Sequence, residues 1–419
     1  MAERHKHNQI FGILDIGTSK IAAAVVVAQL QAESAGLMPR VIGMGVQRSK
    51  GLKAGVLIDV NEAEGAARAA IAQAEREAGV RIDGVTVSVA CGRLTSQHFT
   101  AKADIANGVV TDDEVTRMMA GGRAYAERHG RALLHLNPLG FQLDGGASIQ
   151  DPKGLAARQM AAQLHAVIAD EAPLRNILLL IDRCHLACDG LVAAPYASAL
   201  AVTTPEEREF GVTCIDFGAE TTSYALFSEG RFIGADVVPV GSQRISHDIA
   251  RALQTPLVEA ERIKSLYGTL ISAQSDEHEA FSYPLLGDEE GATHQSTKAM
   301  LTAIIRPRVA QILSLVQERL AQNGGSAYAG DKVVLTGGSS QLLGAAEFAA
   351  NQLGRPVRLG RPVGVSGWPV AMGGPQLAAL TGLAFAAMHS GDVFAGYHSE
   401  ANSQQGYLGR VSDWLKTGF

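Results

Sequence analysis

The chain has 419 residues, of which 47% are hydrophobic and 19% charged, and its formal net charge is −6. These values are typical of a globular protein with a large core, and the length predicts two or three domains or subdomains. The acidic balance argues against a nucleic-acid binder, which would carry a basic face. The four cysteines form no evenly spaced framework, which favours a reducing compartment. No apolar run approaches the roughly 18 residues of a bilayer-spanning helix, and the polar N-terminus lacks the apolar segment of a secretion signal.

The first predicted element is a pair of apolar strands joined by a tight turn, in the stretch IFGILDIGTSKIAAAVVVAQL. Asp15 ends the first strand and Gly17 lies at the turn. Short strands follow, and then a helix that we expect Asn61 to cap and Gly79 to end. The alternating stretch VTVSVA predicts a further strand.

Residues 84–168 differ in their sequence pattern from the segments on either side. They contain short strands such as HFTAKADI and a capped helix in VTDDEVTRMMAGG. We therefore expect a small inserted α/β subdomain. Within it, His135 and His165 lie among apolar residues, which predicts that they are packed in a core rather than catalytic.

A second strand-turn-strand, CIDFGAETTSYALF, repeats the pattern of ILDIGTSKIAAAVV about 200 residues later. Both stretches contain an apolar strand, Asp-x-Gly, a small polar turn and another apolar strand. The repetition predicts a duplicated fold with two halves. Three helices follow, with a charged and exposed segment before the third. KVVLTGGSSQLLG then predicts a strand, a Gly-Gly turn and a helix, and GPQLAALTGLAFAAMHSG predicts a last core helix.

The two hairpins predict a polyphosphate site. Small residues let a phosphate approach backbone N–H donors, and Lys20 would neutralise phosphate charge. Asp15 and Asp216 would hold Mg²⁺ through water, because Mg²⁺ keeps much of its hydration shell. The turn at Gly337 and Gly338 would pack against ribose and adenine, with the following helix N-terminus near phosphate. One hairpin alone is usually an ordinary turn, but two hairpins and a later Gly-Gly turn favour nucleotide binding.

Over nearly its whole length the chain resembles the actin/Hsp70/sugar-kinase superfamily and, within it, the FtsA family of bacterial cell-division proteins. The stretches that carry the resemblance are LDIGTSKI, SKGLKAGVLIDVNEA, VTDDEV, LLHLNPLGFQLDG, AAPYASALAVTTPEEREFGVTCIDFG, HDIARALQTPLVEAERIKSLYG, KVVLTGGSSQLLG and the C-terminal tail. The resemblance implies an α/β, actin-like ATPase fold of two duplicated halves around a nucleotide cleft. It also implies an inserted α/β subdomain, 1C, and a C-terminal amphipathic helix.

The same resemblance divides the chain into eight segments. They are 1–83 (subdomain 1A, first part), 84–168 (1C), 169–205 (1A, second part), 206–240 (2A, first part), 241–330 (2B), 331–389 (2A, second part), 390–405 (a flexible linker) and 406–419 (a membrane-targeting helix).

The resemblance implies a site for ATP and Mg²⁺. The implied residues are Asp15, Gly17, Thr18, Ser19 and Lys20 in the first phosphate loop, Asp216, Gly218, Thr221 and Thr222 in the second, Glu261 and Lys264 beside the adenine, and Gly337, Gly338 and Ser339 in the adenosine motif. Glu261 and Lys264 are three apart on a predicted helix, so both reach one side. The alternative for this pair is a solvated ion pair of little energetic weight. The catalytic residue stays unassigned, and any ATP hydrolysis is expected to be slow and to switch a conformation.

The second phosphate loop departs from the family pattern at Ala219 and Glu220, where small residues are usual. A carboxylate beside a γ-phosphate is repulsive unless it turns to solvent or joins the metal shell. The added side chains also restrict positive φ. We therefore expect ATP binding to persist but to be weaker or more dependent on Mg²⁺.

The tail GYLGRVSDWLKTGF follows a polar tether. As a helix it would place five apolar side chains on one face: Tyr407, Leu408, Val411, Trp414 and Leu415. Tryptophan favours the lipid headgroup boundary, which predicts membrane targeting. The alternatives are a helix docked on its own protein or a frayed end. Two glycines and little net charge predict weak binding by one tail and firm binding by several through avidity.

The resemblance implies an ATP-binding, polymer-forming adaptor at the cytoplasmic face of the inner membrane, at the division septum. It would bind inner-membrane lipids, other copies of itself and other division proteins, but no nucleic acid. It would also anchor FtsZ, whose C-terminal peptide would dock around residues 240–325. The alternatives are a PilM-like pilus-assembly adaptor, or a small-molecule kinase or phosphatase of the same superfold.

Overall fold

The structure is a computed structural model that describes residues 10–30, 37–287, 292–323, 330–369 and 372–388. The predicted tether and tail, residues 390–419, lie outside these ranges. The five apolar positions assigned to the membrane-targeting helix therefore lie outside them as well.

The described residues form a mixture of strands and helices. The strands are β1 (Ile10–Ile16), β2 (Lys20–Leu30), β3 (Leu37–Arg48), β4 (Leu52–Lys53), β5 (Val56–Leu57), β6 (Gly84–Val89), β7 (Thr95–Asp104), β8 (Arg131–Leu143), β9 (Ser148–Ile149), β10 (Gln159–Asp170), β11 (Ala187–Ala193), β12 (Val212–Phe217), β13 (Thr222–Ser228), β14 (Arg231–Val238), β15 (Ala280–Tyr283), β16 (His294–Thr297), β17 (Lys332–Thr336) and β18 (Val357–Leu359). The α-helices are α1 (Val60–Ala78), α2 (Asp112–Ala126), α3 (Glu171–Arg183), α4 (Ala194–Val202), α5 (Pro205–Phe210), α6 (Gln243–Leu253), α7 (Leu257–Tyr267), α8 (Lys298–Gln322), α9 (Ala345–Leu353) and α10 (Ala378–Met388). Short 3-10 helices cover Arg128–Gly130, Gln274–Glu277, Gly338–Gln341 and Pro375–Leu377.

The ends of α1 show how local sequence sets the helix boundaries. Asp59 is the N-cap, and its carboxylate accepts hydrogen bonds from the backbone N–H groups of Asn61 and Glu62. The expectation that Asn61 caps the helix was wrong, because Asp59 has the extended backbone of a cap while Asn61 already lies in the first turn. Gly79 ends the helix with a φ of 71°, as expected.

The two halves have the same sheet topology. The first sheet has the strand order β11-β6-β1-β2-β3, and the second half has β18-β17-β12-β13-β14. In each, the hairpin strands are antiparallel, and the first strand of the hairpin lies parallel to the next strand on its other side. The predicted duplication is confirmed, because five strands repeat in order and in direction.

The strands of the insertion from β7 onward extend the sheet of the second half. The expected start of the insertion at residue 84 was too early, because β6 pairs with β1 and β11 within the first sheet. The order continues from β14 through β7, β10, β8 and β9, which gives nine strands. β14 and β7 pair only at Asp236 and Thr95. The insertion therefore continues the sheet of the second half, and it also contacts the first half, where His135 accepts a hydrogen bond from the N–H of Ala193 in β11.

Side chains of the insertion make hydrogen bonds to backbone groups along the edge of β14 that lies next to β7. The Ser96 hydroxyl donates to the carbonyl of Ala235 and accepts from its N–H, at 3.0 and 2.7 Å. The ring of His165 bonds the carbonyl of Phe232 through Nδ1 at 2.9 Å. His135 and His165 are both buried, as the sequence predicts. The insertion thus substitutes side chains for the backbone of a paired strand.

The last helix, α10, packs on the first half rather than the second. It lies against α4 and β1, and its apolar residues belong to the core cluster of the first sheet. At Gly382 the two helices are so close that a Cβ would lie 1.7 Å from the carbonyl oxygen of Ala197. The prediction that all of residues 331–389 belong with the second half was wrong for α10, because its uniformly apolar surface completes the first-half core.

Within the described residues, one helix has the length and hydropathy of a membrane span. This helix is α8, Lys298–Gln322. Its buried residues, which include Leu301, Ile305 and Ile312, pack in the core of the second half. That packing is typical of the core helix of a globular domain.

Candidate nucleotide cleft

The two predicted phosphate hairpins have the same turn geometry. The N–H of Gly17 donates to the carbonyl of Lys20 at 3.0 Å, and the N–H of Gly218 donates to the carbonyl of Thr221 at 3.0 Å. A Cβ on Gly17 would lie 2.9 Å from the Lys20 oxygen, and one on Gly218 would lie 2.7 Å from the Thr221 oxygen. Both positions therefore require glycine, because the turn leaves no space for a Cβ atom.

A cavity of about 500 Å³ lies between the two hairpins. Thirteen of the fourteen predicted cofactor residues line it: Asp15, Gly17, Thr18, Ser19, Lys20, Asp216, Gly218, Thr221, Glu261, Lys264, Gly337, Gly338 and Ser339. Three loops and one helix, α7, thus bring together residues that are distant in the chain.

Thr222 is the predicted residue that the structure does not bring to the cavity. Its side chain is fully buried, and its hydroxyl donates to the carbonyl of Val240 at 2.8 Å. Thr222 begins β13, so its side chain points into the fold while Thr221 remains at the turn. Its contact fixes the loop that follows β14.

Two aspartates, one from each half, lie on the floor of the cavity. A serine hydroxyl donates to each carboxylate, from Ser88 to Asp15 and from Ser198 to Asp216. Burial raises the pKa of Asp15, and the Ser88 hydrogen bond and Lys20 oppose this rise. Burial raises the pKa of Asp216 to about 6, while the Ser198 hydrogen bond and Lys20 lower it and Asp15 raises it further.

Lys20 lies between these carboxylates. Burial lowers the pKa of Lys20, and the charges of Asp15 and Asp216 oppose that fall. Two acids and one base therefore share a poorly hydrated floor with an excess of negative charge. Such a floor favours a cation that interacts with both carboxylates.

The Gly-Gly turn after β17 closes against the second aspartate. Gly337 has a φ of 87°, and a Cβ there would lie 2.3 Å from Oδ1 of Asp216. A short 3-10 helix, Gly338–Gln341, follows directly, and α9 begins only at Ala345. The predicted order of strand, Gly-Gly turn and helix is confirmed, and the helix directly after the turn is the 3-10 helix rather than α9.

A loop that the sequence did not single out holds the second hairpin. The N–H of Ser242 donates to the carbonyl of Gly218 at 3.0 Å, and the N–H of Gln243 donates to that of Ala219 at 2.7 Å. The Ser339 hydroxyl donates to the Ser242 hydroxyl at 2.5 Å. The signal available in the sequence was a Gly-Ser pair directly before the amphipathic helix α6.

Ser88 and Ser198 were also missed. Ser88 is a buried polar residue within a strand of apolar neighbours, and Ser198 is one within the apolar helix α4. A buried hydroxyl in an apolar element needs a hydrogen-bond partner. That requirement was the signal that could have linked each serine to an aspartate.

Glu261 and Lys264 form a pair on the cavity wall. Their side chains are 2.8 Å apart, and Lys264 also donates to the hydroxyl of Ser246 at 2.9 Å. Lys264 is 9% exposed, whereas the Glu261 side chain is 53% exposed, so the pair is half-buried at the cavity wall. The network joins α6 to α7 and orients both side chains at the cavity.

Glu220 turns away from the cavity. Its Oε2 accepts a hydrogen bond from the N–H of Ala54, in the turn between β4 and β5, at 2.5 Å. Ala219 and Glu220 both have negative φ, so the expected conflict between their side chains and the backbone does not arise. The Glu220 carboxylate is directed to the first half and away from the expected phosphate position. The geometry therefore does not support the expected repulsion between this carboxylate and phosphate.

Comparison with known proteins places the chain in a family. The family model "Cell division protein FtsA" matches residues 213–382, and "SHS2 domain inserted in FTSA" matches residues 91–168. The cell division protein FtsA of Agrobacterium fabrum is 36% identical over 426 aligned residues, which cover 99% of this chain and 96% of the relative. The chain belongs to the FtsA family of cell-division proteins.

Solved structures confirm the actin-like fold of this FtsA-family chain. A chain of the PilM-PilN type IV pilus biogenesis complex has a TM-score of 0.62 and 18% identity, covering 90% of this chain and 98% of that one. MreB5 of Spiroplasma citri bound to ADP has a TM-score of 0.53 and 13% identity, covering 90% and 96%. These identities are low, so the likeness concerns the fold. The full-length relatives favour the FtsA family over the PilM-like and enzyme alternatives.

Proposed function

We propose that this FtsA-family protein binds ATP with Mg²⁺ in the cleft between its two halves. The observation that carries the proposal is the pair of carboxylates, Asp15 and Asp216, which flank Lys20 between two hairpins of identical turn geometry. A related fold, that of MreB5, is described with bound ADP.

The residues of the cleft fit this ligand. Backbone N–H groups of the two turns and the ammonium of Lys20 suit phosphate oxygens, and the polar side chains of Glu261 and Lys264 suit the adenine, beside which the resemblance places them. Among the described residues, no three acidic, histidine or cysteine side chains cluster as a metal site. A bound Mg²⁺ would therefore take most of its ligands from phosphate and water, with Asp15 and Asp216 in contact through that water.

The test is titration of a fluorescent ATP analogue with and without Mg²⁺. We expect saturable binding by the wild-type chain that weakens strongly on chelation of Mg²⁺. Asp15→Asn should weaken the Mg²⁺-dependent part, whereas Asp113→Asn, an exposed carboxylate on α2, should leave it unchanged. Equal binding by wild type and Asp15→Asn at every Mg²⁺ concentration would overturn the assignment.

We propose that the C-terminal peptide of FtsZ docks on a basic groove between α6 and α8. The groove has a volume of about 540 Å³, and the exposed side chains of Arg244, His247 and Arg251 line it. Arg308 lies at its side and is held by Asp248, with Nε 2.6 Å from Oδ2. A peptide that ends in a carboxylate is complementary to this charge. The groove lies within the range 240–325 that the family resemblance implies.

Fluorescence anisotropy with a labelled FtsZ C-terminal peptide tests this surface. Arg251→Glu should weaken binding by about tenfold or more, because it reverses a charge that faces the peptide. Arg262→Glu is the matched control, since Arg262 lies on α7 outside the groove and pairs with Glu259. If both variants weaken binding equally, only the overall charge matters and the groove is not the site.

We further propose that the protein assembles into polymers on the inner membrane and so anchors FtsZ at the septum. Support comes from membership of a cell-division family and from the apolar pattern of residues 406–419 in the sequence. One tail is a weak membrane anchor by composition, so several tails on one polymer supply avidity.

Co-sedimentation with liposomes and FtsZ, with and without ATP, tests this part of the proposal. The full chain should carry FtsZ to the membrane pellet, and a chain without residues 406–419 should not. Both chains should bind the ATP analogue equally, which separates failure of the membrane proposal from failure of the nucleotide proposal. Sedimentation of FtsZ by the truncated chain would contradict the anchoring role.

We retain the division into subdomains as a proposal, with two changes. α10 is grouped with segments 1–83 and 169–205, because it packs against their sheet. The insertion is taken from the end of β6 to the end of β10, because β6 pairs with β1 and β11 in the first sheet. Limited proteolysis that released the segment between Val89 and Asp170 as a stable fragment would support these insertion bounds, and cleavage inside β10 would contradict them.

A further inference from the structure

One edge of strand β7, in the insertion, is open over half its length. β7 pairs with β10 from Thr95 to Asp104. On its other edge, the described residues provide a partner only at Thr95, through β14. From Phe99 to Asp104, no strand of the described part of the chain pairs with this second edge.

The register shows which backbone groups face outward. The N–H of Ile105, directly after β7, donates to the carbonyl of Arg158 at 2.8 Å. Bonded and non-bonded pairs alternate in an antiparallel ladder, so Phe99, Ala101 and Ala103 direct their backbone groups at β10. Thr100 and Lys102 therefore direct theirs at the open edge, and both residues are exposed.

A groove of about 670 Å³ runs between this edge and helix α2. Residues 99–104 of β7 form one wall, and α2 forms the other. Gly121 leaves the α2 wall open, because a Cβ there would meet no heavy atom within 4 Å. Phe99 and Tyr125 form an aromatic contact at the groove, with ring centroids 4.7 Å apart, and Tyr125 is 48% exposed.

The groove carries more positive than negative exposed charge. Lys102, Arg117 and Arg128 are exposed, and the Arg128 guanidinium lies 4.8 Å from the centre of the Tyr125 ring. Of the two acids, Glu114 is buried and accepts hydrogen bonds from the N–H of Thr111. Asp104, at the end of the strand, is the other.

We propose that this groove binds an extended, acidic peptide segment of a partner protein, which adds a strand to the open edge of β7. Backbone groups of Thr100 and Lys102 would pair with the peptide, as in other proteins that recognise peptides by strand addition. Lys102, Arg117 and Arg128 would select carboxylates, and Tyr125 would contact an apolar or aromatic side chain. The site is in the insertion and is independent of the proposed nucleotide cleft.

Selection from a phage-displayed library of random peptides, about ten residues long, tests this proposal on the full chain without nucleotide. We expect enriched peptides that alternate acidic with apolar or aromatic residues. Thr100→Pro removes one outward N–H without touching the β7–β10 ladder, and it should weaken binding of an enriched peptide about fivefold or more. Thr100→Val keeps the N–H and is the matched control. Arg128→Glu should weaken binding of acidic peptides more than Thr100→Val does.

Melting temperatures close to the wild type would show that the variants fold. The proposal is overturned if no acidic peptide is enriched, or if Thr100→Pro and Thr100→Val bind the enriched peptides equally. Light scattering of the full chain supplies a further check. If Thr100→Pro abolishes self-association while peptides bind unchanged, the edge serves a second copy of this chain and the proposed partner is wrong.

Discussion

The carboxylate of Glu220 accepts a hydrogen bond from the backbone N–H of Ala54, and this contact joins the two halves of the molecule beside the cleft. Ala54 has a φ of 47°, a left-handed conformation that an L-residue adopts at some cost. The segment that leads from β3 into the β4–β5 hairpin is also attached to the first phosphate loop, because the N–H of Ser49 donates to the carbonyl of Ser19. Glu220 therefore connects one phosphate loop to the other through the β4–β5 turn.

Glu220→Ala should accelerate release of nucleotide. A charge-assisted hydrogen bond at a partly exposed position contributes about 1 kcal/mol, which corresponds to about a fivefold faster dissociation if the contact holds the cleft closed. Stopped-flow displacement of a fluorescent ATP analogue measures this rate. Glu220→Gln keeps an acceptor oxygen and should lie between wild type and Glu220→Ala. Slower release from Glu220→Ala would support phosphate repulsion instead.

Asp216→Asn should stabilise the ligand-free protein at neutral pH and weaken its binding of Mg²⁺-nucleotide. The pKa of Asp216 rises from 3.8 to about 6 on folding, so the folded state loses stability relative to the unfolded state as pH rises between these values. The increase in melting temperature of Asp216→Asn over the wild type should therefore be small at pH 4 and should reach its maximum above pH 6. A gain that decreased as pH rose would contradict this sign. Wild-type Mg²⁺-nucleotide binding should weaken as pH falls below 6.

Gly337→Ala should reduce nucleotide affinity about tenfold or more. The substitution combines a left-handed φ with a Cβ that would lie 2.3 Å from the Asp216 carboxylate, so the loop or the aspartate must move. Gly338→Ala is the matched control, because its Cβ would make an ordinary contact of 3.6 Å with the side chain of Gln376. Titration with the fluorescent analogue compares the two. Similar losses in both variants would show that any added methyl group disturbs the turn.

Acid should lower the free energy of unfolding through two buried histidines of the insertion, His135 beside the first half and His165 beside β14. Burial lowers the pKa of His135 to about 3 and that of His165 well below its usual value, so both are neutral in the folded state. The unfolded chain binds protons at these positions near pH 6.5, and stability therefore falls as pH drops below that value.

Denaturant unfolding at pH 7.5, 6.5 and 5.5 measures this loss. These measurements should be made in the Asp216→Asn variant. In the wild type, the titration of Asp216 raises stability as the pH falls below 6, which would partly mask the loss caused by the histidines. His135→Gln keeps an acceptor for the N–H of Ala193, which His135 Nε2 binds at 2.9 Å, and should reduce the slope. An unchanged slope would exclude His135 as a source of the acid sensitivity.

Residue spacing predicted both hairpins, because an Asp-x-Gly turn between two apolar strands is compatible with few local structures other than a β-hairpin. It also placed Asp15, Lys20 and Asp216 together, since a duplicated fold brings both turns to one cleft, whereas Glu261 and Lys264 were implied only by the family resemblance. It could not predict that Ser88 and Ser198 hold the aspartates, because those contacts depend on which strand and helix pack behind each turn. Nor could it assign α10, whose apolar sequence fits either half and whose position is decided by close packing at Gly382.

Glu220 shows a different limit of the sequence. The sequence predicts that the Glu220 carboxylate lies beside the expected phosphate. In the structure the carboxylate instead accepts a hydrogen bond from a backbone N–H that is 166 positions away in the chain. Non-local contacts of one side chain with a turn leave no periodic or local signal. The same is true of Thr222, whose neighbour Thr221 faces the cavity while it does not.

The insertion is continuous in sequence with the first half, yet its strands extend the sheet of the second half. A force applied to a partner held on the insertion would reach β14 as a lateral load, carried by contacts that include those of Ser96 and His165 and the pair at Thr95. The same force would enter the first half along the backbone at each end of the insertion. The insertion would then act as a lever between the halves, and tension on a bound partner would alter how readily the cleft opens.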